Sequence, residues 1–158
     1  MFIPIYDDSL LSHDTEQFPV TFEQRRGDVI IITQSCELEN DKSDFVLVCP
    51  YYPLVEVENL NEYFKSSDGK EQTRRGNVPG YHMLAESQEP GFEQTIQIVD
   101  FRSVQSLPFK FLRAFANSQE KRLRLLSPYR EHLAQAFARF FMRVGLPTDI
   151  PPFKSRKK

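Results

Sequence analysis

A chain of 158 residues with 40% hydrophobic and 27% charged side chains is one domain's worth of globular protein, able to bury roughly two-thirds of the surface its unfolded form exposes. Its 20 basic and 22 acidic residues give a formal charge of −2, which excludes bulk electrostatic attraction to nucleic acid or membrane and leaves any such binding to a local patch. No run approaches the roughly 18 apolar residues of a membrane span, and the start MFIPIYDDSLL lacks the basic and long apolar parts of a secretory signal, so a cytoplasmic protein is expected.

The first six residues alternate enough for an edge strand, where Pro4 is tolerable. Residues 7–19 are polar and acidic. Phe22–Asp28 then brings Arg25 and Arg26 to the start of the most apolar region, GDVIIITQSCELENDKSDFVLVCP. Within it Val29–Ile32 and Phe45–Val48 are continuous β-branched runs of strand length, and they predict two buried, paired strands joined by the polar stretch Glu37–Asp44. The first strand ends in Thr33-Gln34-Ser35-Cys36-Glu37, a rim with a thiol, a carboxylate and three hydrogen-bonding side chains.

Asn59–Lys65 predicts a short helix capped by Asn59, with Leu60, Tyr63 and Phe64 on its inner face. Ser66–Gly80 has no apolar periodicity and reads as a long loop containing Arg74 and Arg75. Gly80–Leu84 and Gln94–Val104 are expected strands, the second bent near Asp100, and Pro108–Asn117 a short helix presenting Phe109, Leu112 and Phe115. Ser127 followed by Pro128 predicts the start of the longest helix, running to Val144 with Leu133, Phe137, Phe140 and Phe141 on one face. The fold class is therefore mainly β with helices: a small, bent antiparallel sheet with a C-terminal amphipathic helix. One domain spans residues 1–150, and 151–158 is a basic tail without a core pattern.

This order of elements resembles the PemK/MazF-type toxins. The resemblance rests on Glu23-Gln24-Arg25-Arg26-Gly27-Asp28-Val29-Ile30-Ile31-Ile32-Thr33, on Val46-Leu47-Val48-Cys49-Pro50-Tyr51-Tyr52 after a turn with Asn40, on Val99-Asp100-Phe101-Arg102-Ser103-Val104, on Arg122-Leu123 and on the terminal helix. It implies an SH3-like barrel and metal-independent cleavage of RNA without a cofactor. By the family's pattern the catalytic pair falls on Arg26 and residue 52, where this chain has Tyr52 in place of Thr or Ser, and the Pro that follows the arginine is absent. RNA, a protein partner such as an antitoxin, and a second copy of the chain are the partners this resemblance admits; a membrane is not among them. A non-catalytic module binding a protein or small ligand at the Gln34–Glu37 rim is the alternative.

Arg25, Arg26, Arg74 and Arg75 form an anion patch if the long loop folds over the strand start, with Tyr51, Tyr52 and Tyr81 as surfaces for unpaired bases. The competing reading is that the arginines are solvated and the tyrosines half-buried. Cys36 with His82 as base makes a nucleophile pair, against the commoner role of a cysteine at a strand end as a small hydrophobe. With only Cys36 and Cys49, and neither CxxC nor HxxxH spacing, no metal is expected. Arg130 lies in line with Phe137 and Phe141 on the apolar face, so it requires a partner: an internal ion pair with Glu37 or Asp100, the expected case, or an anion beside the rim.

Overall fold

The computed structural model of the chain describes residues 2–5, 21–24, 27–39, 43–119 and 121–142. In chain order these form β1 (Phe2–Ile5), β2 (Thr21–Gln24), β3 (Val29–Ile31), α1 (Ser35–Glu39), β4 (Phe45–Pro53), α2 (Leu54–Leu60), a 3₁₀ turn at Glu62–Lys65 and α3 (Ser67–Arg74). There follow β5 (Tyr81–Leu84), β6 (Gln97–Asp100), a 3₁₀ turn at Phe101–Ser103, β7 (Gln105–Pro108), α4 (Phe109–Ser118) and α5 (Tyr129–Phe141). The ribbon β1–β2 is antiparallel, Phe2 opposite Gln24 and Ile5 opposite Thr21.

The other five strands make one antiparallel sheet around β4. On one side β4 pairs β3, Val29 opposite Pro50 and Ile31 opposite Val48. On the other it pairs β7 through Phe45–Val48 and β6 through Tyr51–Pro53, and β5 lies outside β6. The 3₁₀ turn at Phe101–Ser103 is the predicted bend near Asp100: it takes up the slack between the β6 and β7 pairings. The barrel closure implied by the resemblance is not formed, because β3 and β5 lie at the sheet's edges and no pairing joins them among the described residues. Closure requires edge strands long enough to curl until they meet, and these have three and four residues.

Two cores lie on the two faces. Against one face, α5 lays Leu133, Phe137 and Phe140 over Cys49, Val99 and Phe101. Against the other, α2 and the first 3₁₀ turn lay Val57 and Phe64 over Ile98, Met83 and Tyr81. The two apolar runs are not buried throughout as expected: in β4, Val46 and Val48 are buried while Phe45 and Leu47 are exposed, the alternation a pleated strand imposes. The α5 helix starts one residue later than predicted, with Pro128 at the cap and no side-chain capping bond. Its apolar face is as predicted, except that Phe141 is exposed; Val144 and the tail 151–158 lie outside the described residues.

Two predicted elements are corrected. The helix placed at Asn59–Lys65 is two elements, because Asn61 adopts an extended backbone and its side chain accepts a 3.0 Å bond from the Tyr63 N–H, restarting the chain as a 3₁₀ turn. Phe64 is wholly buried, whereas Leu60 is 89% exposed. The stretch read as a loop contains α3. Ser66 caps it, its Oγ accepting from the Gly69 N–H at 2.9 Å, and Glu71 pairs with Arg74 and Arg75 one turn on. It has no apolar stripe because its inner face is Gly69 and Thr73, and a Cβ on Gly69 would lie 2.0 Å from the Tyr63 carbonyl oxygen. Backbone packs on backbone there, which hydrophobic periodicity does not report.

Candidate functional site

The cross-strand pairs Tyr52–Ile98 and Tyr81–Asp100 bring four side chains to the face that carries α2. Where α2 ends, these residues and Glu56, Leu60, Asn61 and Arg102 enclose a cavity of about 290 Å³. Val57 and Ile98 form its apolar floor, and two phenols, two carboxylates, an amide and a guanidinium supply its polar groups. A few convergent polar groups over an apolar base is the usual make-up of a small-ligand site.

Its best-built part is the Asp100–Arg102 turn. Asp100 caps the 3₁₀ turn by accepting the Arg102 N–H at 3.0 Å, and it also accepts from Ser103 Oγ at 3.1 Å. The same carboxylate takes Arg102 Nε at 3.0 Å. The guanidinium carbon lies 4.2 Å from the Tyr81 ring centroid, and Nη2 donates to the Tyr81 hydroxyl. Behind this stack Tyr81 meets Phe64 edge to face at 5.0 Å. Gly80 makes the close approach possible: at φ +93° it passes under the Arg102 stem, and a Cβ there would stand 3.3 Å from Arg102 Cγ and 3.4 Å from Phe140. The Asp100 hydrogen bonds raise the Arg102 pKa, and burial pushes the Tyr81 phenol up, so both groups keep their protons at neutral pH.

The predicted site residues are dispersed. Tyr52 and Tyr81 line the cavity. Tyr51 points to the opposite face, where Gln94 donates to its hydroxyl at 3.4 Å. His82, next to Tyr81, also takes the α5 face, where it stacks on Phe101 and burial, then His132, lowers its pKa. Gln34, Ser35, Cys36 and Glu37 are not a strand rim: Ser35 starts α1, the Gln34 carbonyl accepts the Glu37 N–H, and Gln34, Ser35 and Glu37 do not line the cavity. Arg74 and Arg75 converge on Glu71, whose carboxyl they hold down at about 2. Arg25 and Arg26, and with them the implied catalytic arginine, lie outside the described residues, as does the side chain of Cys36. Cys49 is buried, and burial pushes its thiol up to about 12, which leaves it no thiolate for chemistry at neutral pH.

Arg130 is the clearest correction. Its side chain is 47% exposed and pairs at 2.7 Å with Glu131, its own neighbour, while Asp100 is taken by Arg102. The first turn of α5 is exposed at Tyr129 and Arg130 and its first buried residue is Leu133, so the position that looked internal on a helical wheel is at the surface. Asp100, Arg102, Glu56 and Asn61 are site residues that sequence reasoning missed. The Asp-x-Arg spacing at a strand bend was the available signal, since Asp favours turns that it can cap with its own side chain.

Among the described residues no three His, Cys, Asp or Glu side chains gather as metal ligands, and no helix is long and apolar enough to cross a membrane. Comparison of the chain with family models, with curated proteins and with solved structures returns no match.

Proposed function

We propose that this chain is an RNA-associated protein that takes an unpaired base in the cavity between α2 and the β5–β6 edge. The observation that carries the reading is the Arg102–Tyr81 stack beside Tyr52 and Asn61. Aromatic and guanidinium planes offer stacking surfaces to any base, while an amide and carboxylates can read a base edge. The reading takes the open sheet as a variant of the SH3-like barrel, with β4 as the shared central strand. It goes with the cytoplasmic setting, the antitoxin-like protein partner and the homodimer expected from the sequence.

Whether the chain also cuts RNA turns on Arg102. A guanidinium can stabilise the charge that develops at a phosphate in transfer chemistry, and Tyr52 shares its cavity. Asp100 already engages that guanidinium through Nε and Nη2, which favours a second reading, binding without cleavage. Metal-free incubation of the protein with total RNA, alongside a binding titration with an unstructured oligonucleotide, tests both. Discrete cleavage lost in Arg102→Ala supports a nuclease; binding without cleavage supports the module; neither result with a folded protein removes RNA from the reading.

A further inference from the structure

The polar groups of the first cavity, where α2 meets β5 and β6, are not equally open to a ligand. Asp100 is saturated: Oδ1 accepts the Arg102 N–H and Nε, each at 3.0 Å, and Oδ2 accepts Ser103 Oγ at 3.1 Å and Arg102 Nη2 at 3.3 Å. Asn61 Oδ1 is committed to the Tyr63 N–H at 3.0 Å, which fixes the amide and leaves its N–H₂ for the cavity. The Tyr81 hydroxyl accepts from Arg102 Nη2, so its own proton is free to be donated. Glu56 is the remaining acceptor. Its carboxylate lines the cavity with no hydrogen bond or ion pair among the described residues, whereas Glu58 on the same helix is taken by Lys70 at 2.6 Å.

An open acceptor among open donors, over the apolar floor of Val57 and Ile98 and beside the flat Tyr52 and Arg102–Tyr81 surfaces, distinguishes one base from another. Guanine presents two adjacent donors, N1–H and N2–H₂, with the acceptor O6 next to them, so one carboxylate takes both donors while a neighbouring N–H or O–H takes O6. Adenine turns the N1 lone pair toward the carboxylate, uracil sets a carbonyl oxygen on each side of its one donor, and cytosine has one amino group beside two acceptors. Resting on the RNA reading above, we infer that the unpaired base held here is guanine, read by Glu56 through N1–H and N2–H₂ and by Asn61 or Tyr81 through O6. An ammonium group also suits a carboxylate among tyrosines, yet it has donors only and leaves the Asn61 amide and the Tyr81 hydroxyl unmatched. A second cavity, of about 220 Å³ beside α4, does not compete for this edge: Arg113, Asn117 and Arg122 line it and no carboxylate does.

The test uses anisotropy titrations of labelled oligouridylates, about five nucleotides long, whose central base is guanine, hypoxanthine, adenine or uracil. The guanine probe should bind about tenfold more tightly than the adenine and uracil probes, with hypoxanthine, which lacks N2–H₂, in between. Glu56→Gln should remove most of that preference without weakening the adenine and uracil probes. Glu56 is exposed, so this variant keeps its fold. Asn61→Asp keeps the oxygen that accepts from Tyr63 and turns an acceptor toward O6, so it should weaken the guanine probe alone. Equal binding of all four probes to wild type, or preference for another base, overturns the inference and leaves the RNA reading intact. A guanine preference at full strength in Glu56→Gln overturns it as well. So does displacement of the guanine probe by N-acetyl-lysine amide as readily as by guanosine monophosphate, which assigns Glu56 to a cation. If wild type binds no probe, the RNA reading itself fails and guanine fails with it.

Discussion

Asp100 and Arg102 hold each other through main chain and side chain at once: one carboxylate oxygen accepts both the Arg102 N–H and its Nε, each at 3.0 Å. Asp100 is only 14% exposed and Arg102 55%, so the acid is the fixed member and the guanidinium the presented one. Asp100→Ala removes a cap and an ion-pair acceptor together and should cost about 1–3 kcal/mol. That is a fall of a few degrees or more in melting temperature. Arg102→Ala leaves the cap in place and should cost less while weakening RNA binding more. Equal melting losses in the two variants would count against this division of labour.

Gly80→Ala tests the support beneath the stack. The residue sits at φ +93°, and the added methyl meets both Arg102 Cγ and Phe140 at under 3.5 Å. The backbone conformation alone should cost about 1–2 kcal/mol. Because the displaced atom belongs to Arg102, binding at the first cavity should fall together with stability. Unchanged affinity in a variant that melts lower would show that the Arg102 stem adjusts freely.

For α3 the prediction is an ordering of two variants. Ser66→Ala deletes a capping bond of 2.9 Å, at about 1 kcal/mol. Gly69→Ala forces backbone apart, since its Cβ would stand 2.0 Å from the Tyr63 carbonyl oxygen, and should cost about 1–3 kcal/mol or more. Denaturant titrations that rank Ser66→Ala as the worse variant would refute the backbone contact.

Stability should also depend on pH through His82. Burial holds its pKa below the ordinary 6.5, so the folded chain resists protonation that the unfolded chain accepts. Its contribution is complete above about pH 6.5 and is lost as pH falls through the lower folded value. Melts between about pH 7.5 and about pH 5.5 should show the loss in wild type and a flatter profile in His82→Phe, which keeps a ring against Phe101. Parallel profiles would assign the sensitivity elsewhere. The Glu71 window is separate: its carboxyl is held from 4.5 down to about 2, so that contribution fades only as pH falls below the upper of these values.

Arg130→Ala should be nearly silent. Among the described residues its ion pair is with the adjacent Glu131 at the surface, and exposed pairs contribute about 0–1 kcal/mol. A drop of many degrees would mean a buried partner after all.

Much of the fold was legible because apolar period and local capping are local signals. Val29–Ile31 against β4, the bend at Asp100 and the Leu133, Phe137, Phe140 face of α5 all follow from them. The α3 helix was not legible, since its contact is made by Gly69 and Thr73, which leave no apolar stripe. The site was half legible. Tyr52 and Tyr81 drew attention as exposed aromatic candidates, but their meeting across β6 depends on the register of three strands, which no local pattern encodes. Arg130 misled for the converse reason: helical phase gives direction, and only the reach of the sheet beneath decides whether that direction is inside.

That β4 is shared among three partners bears on how the chain is made. Its last partner ends at Pro108, 55 residues after β4 itself ends at Pro53, an interval of about 3–11 s at ordinary rates of synthesis. Until β6 emerges at Gln97–Asp100, FVLVCPYYP can hold only β3 on one edge, and its Phe45–Val48 half stays open on the other until β7 follows, free to pair with a neighbouring nascent chain. Of the segments that emerge next, α2 packs on β4 and can shield one face of it but not that edge. Truncation before residue 105 should therefore yield aggregates rather than a smaller soluble fold, and yield on expression should rise as elongation slows or a chaperone holds the strand.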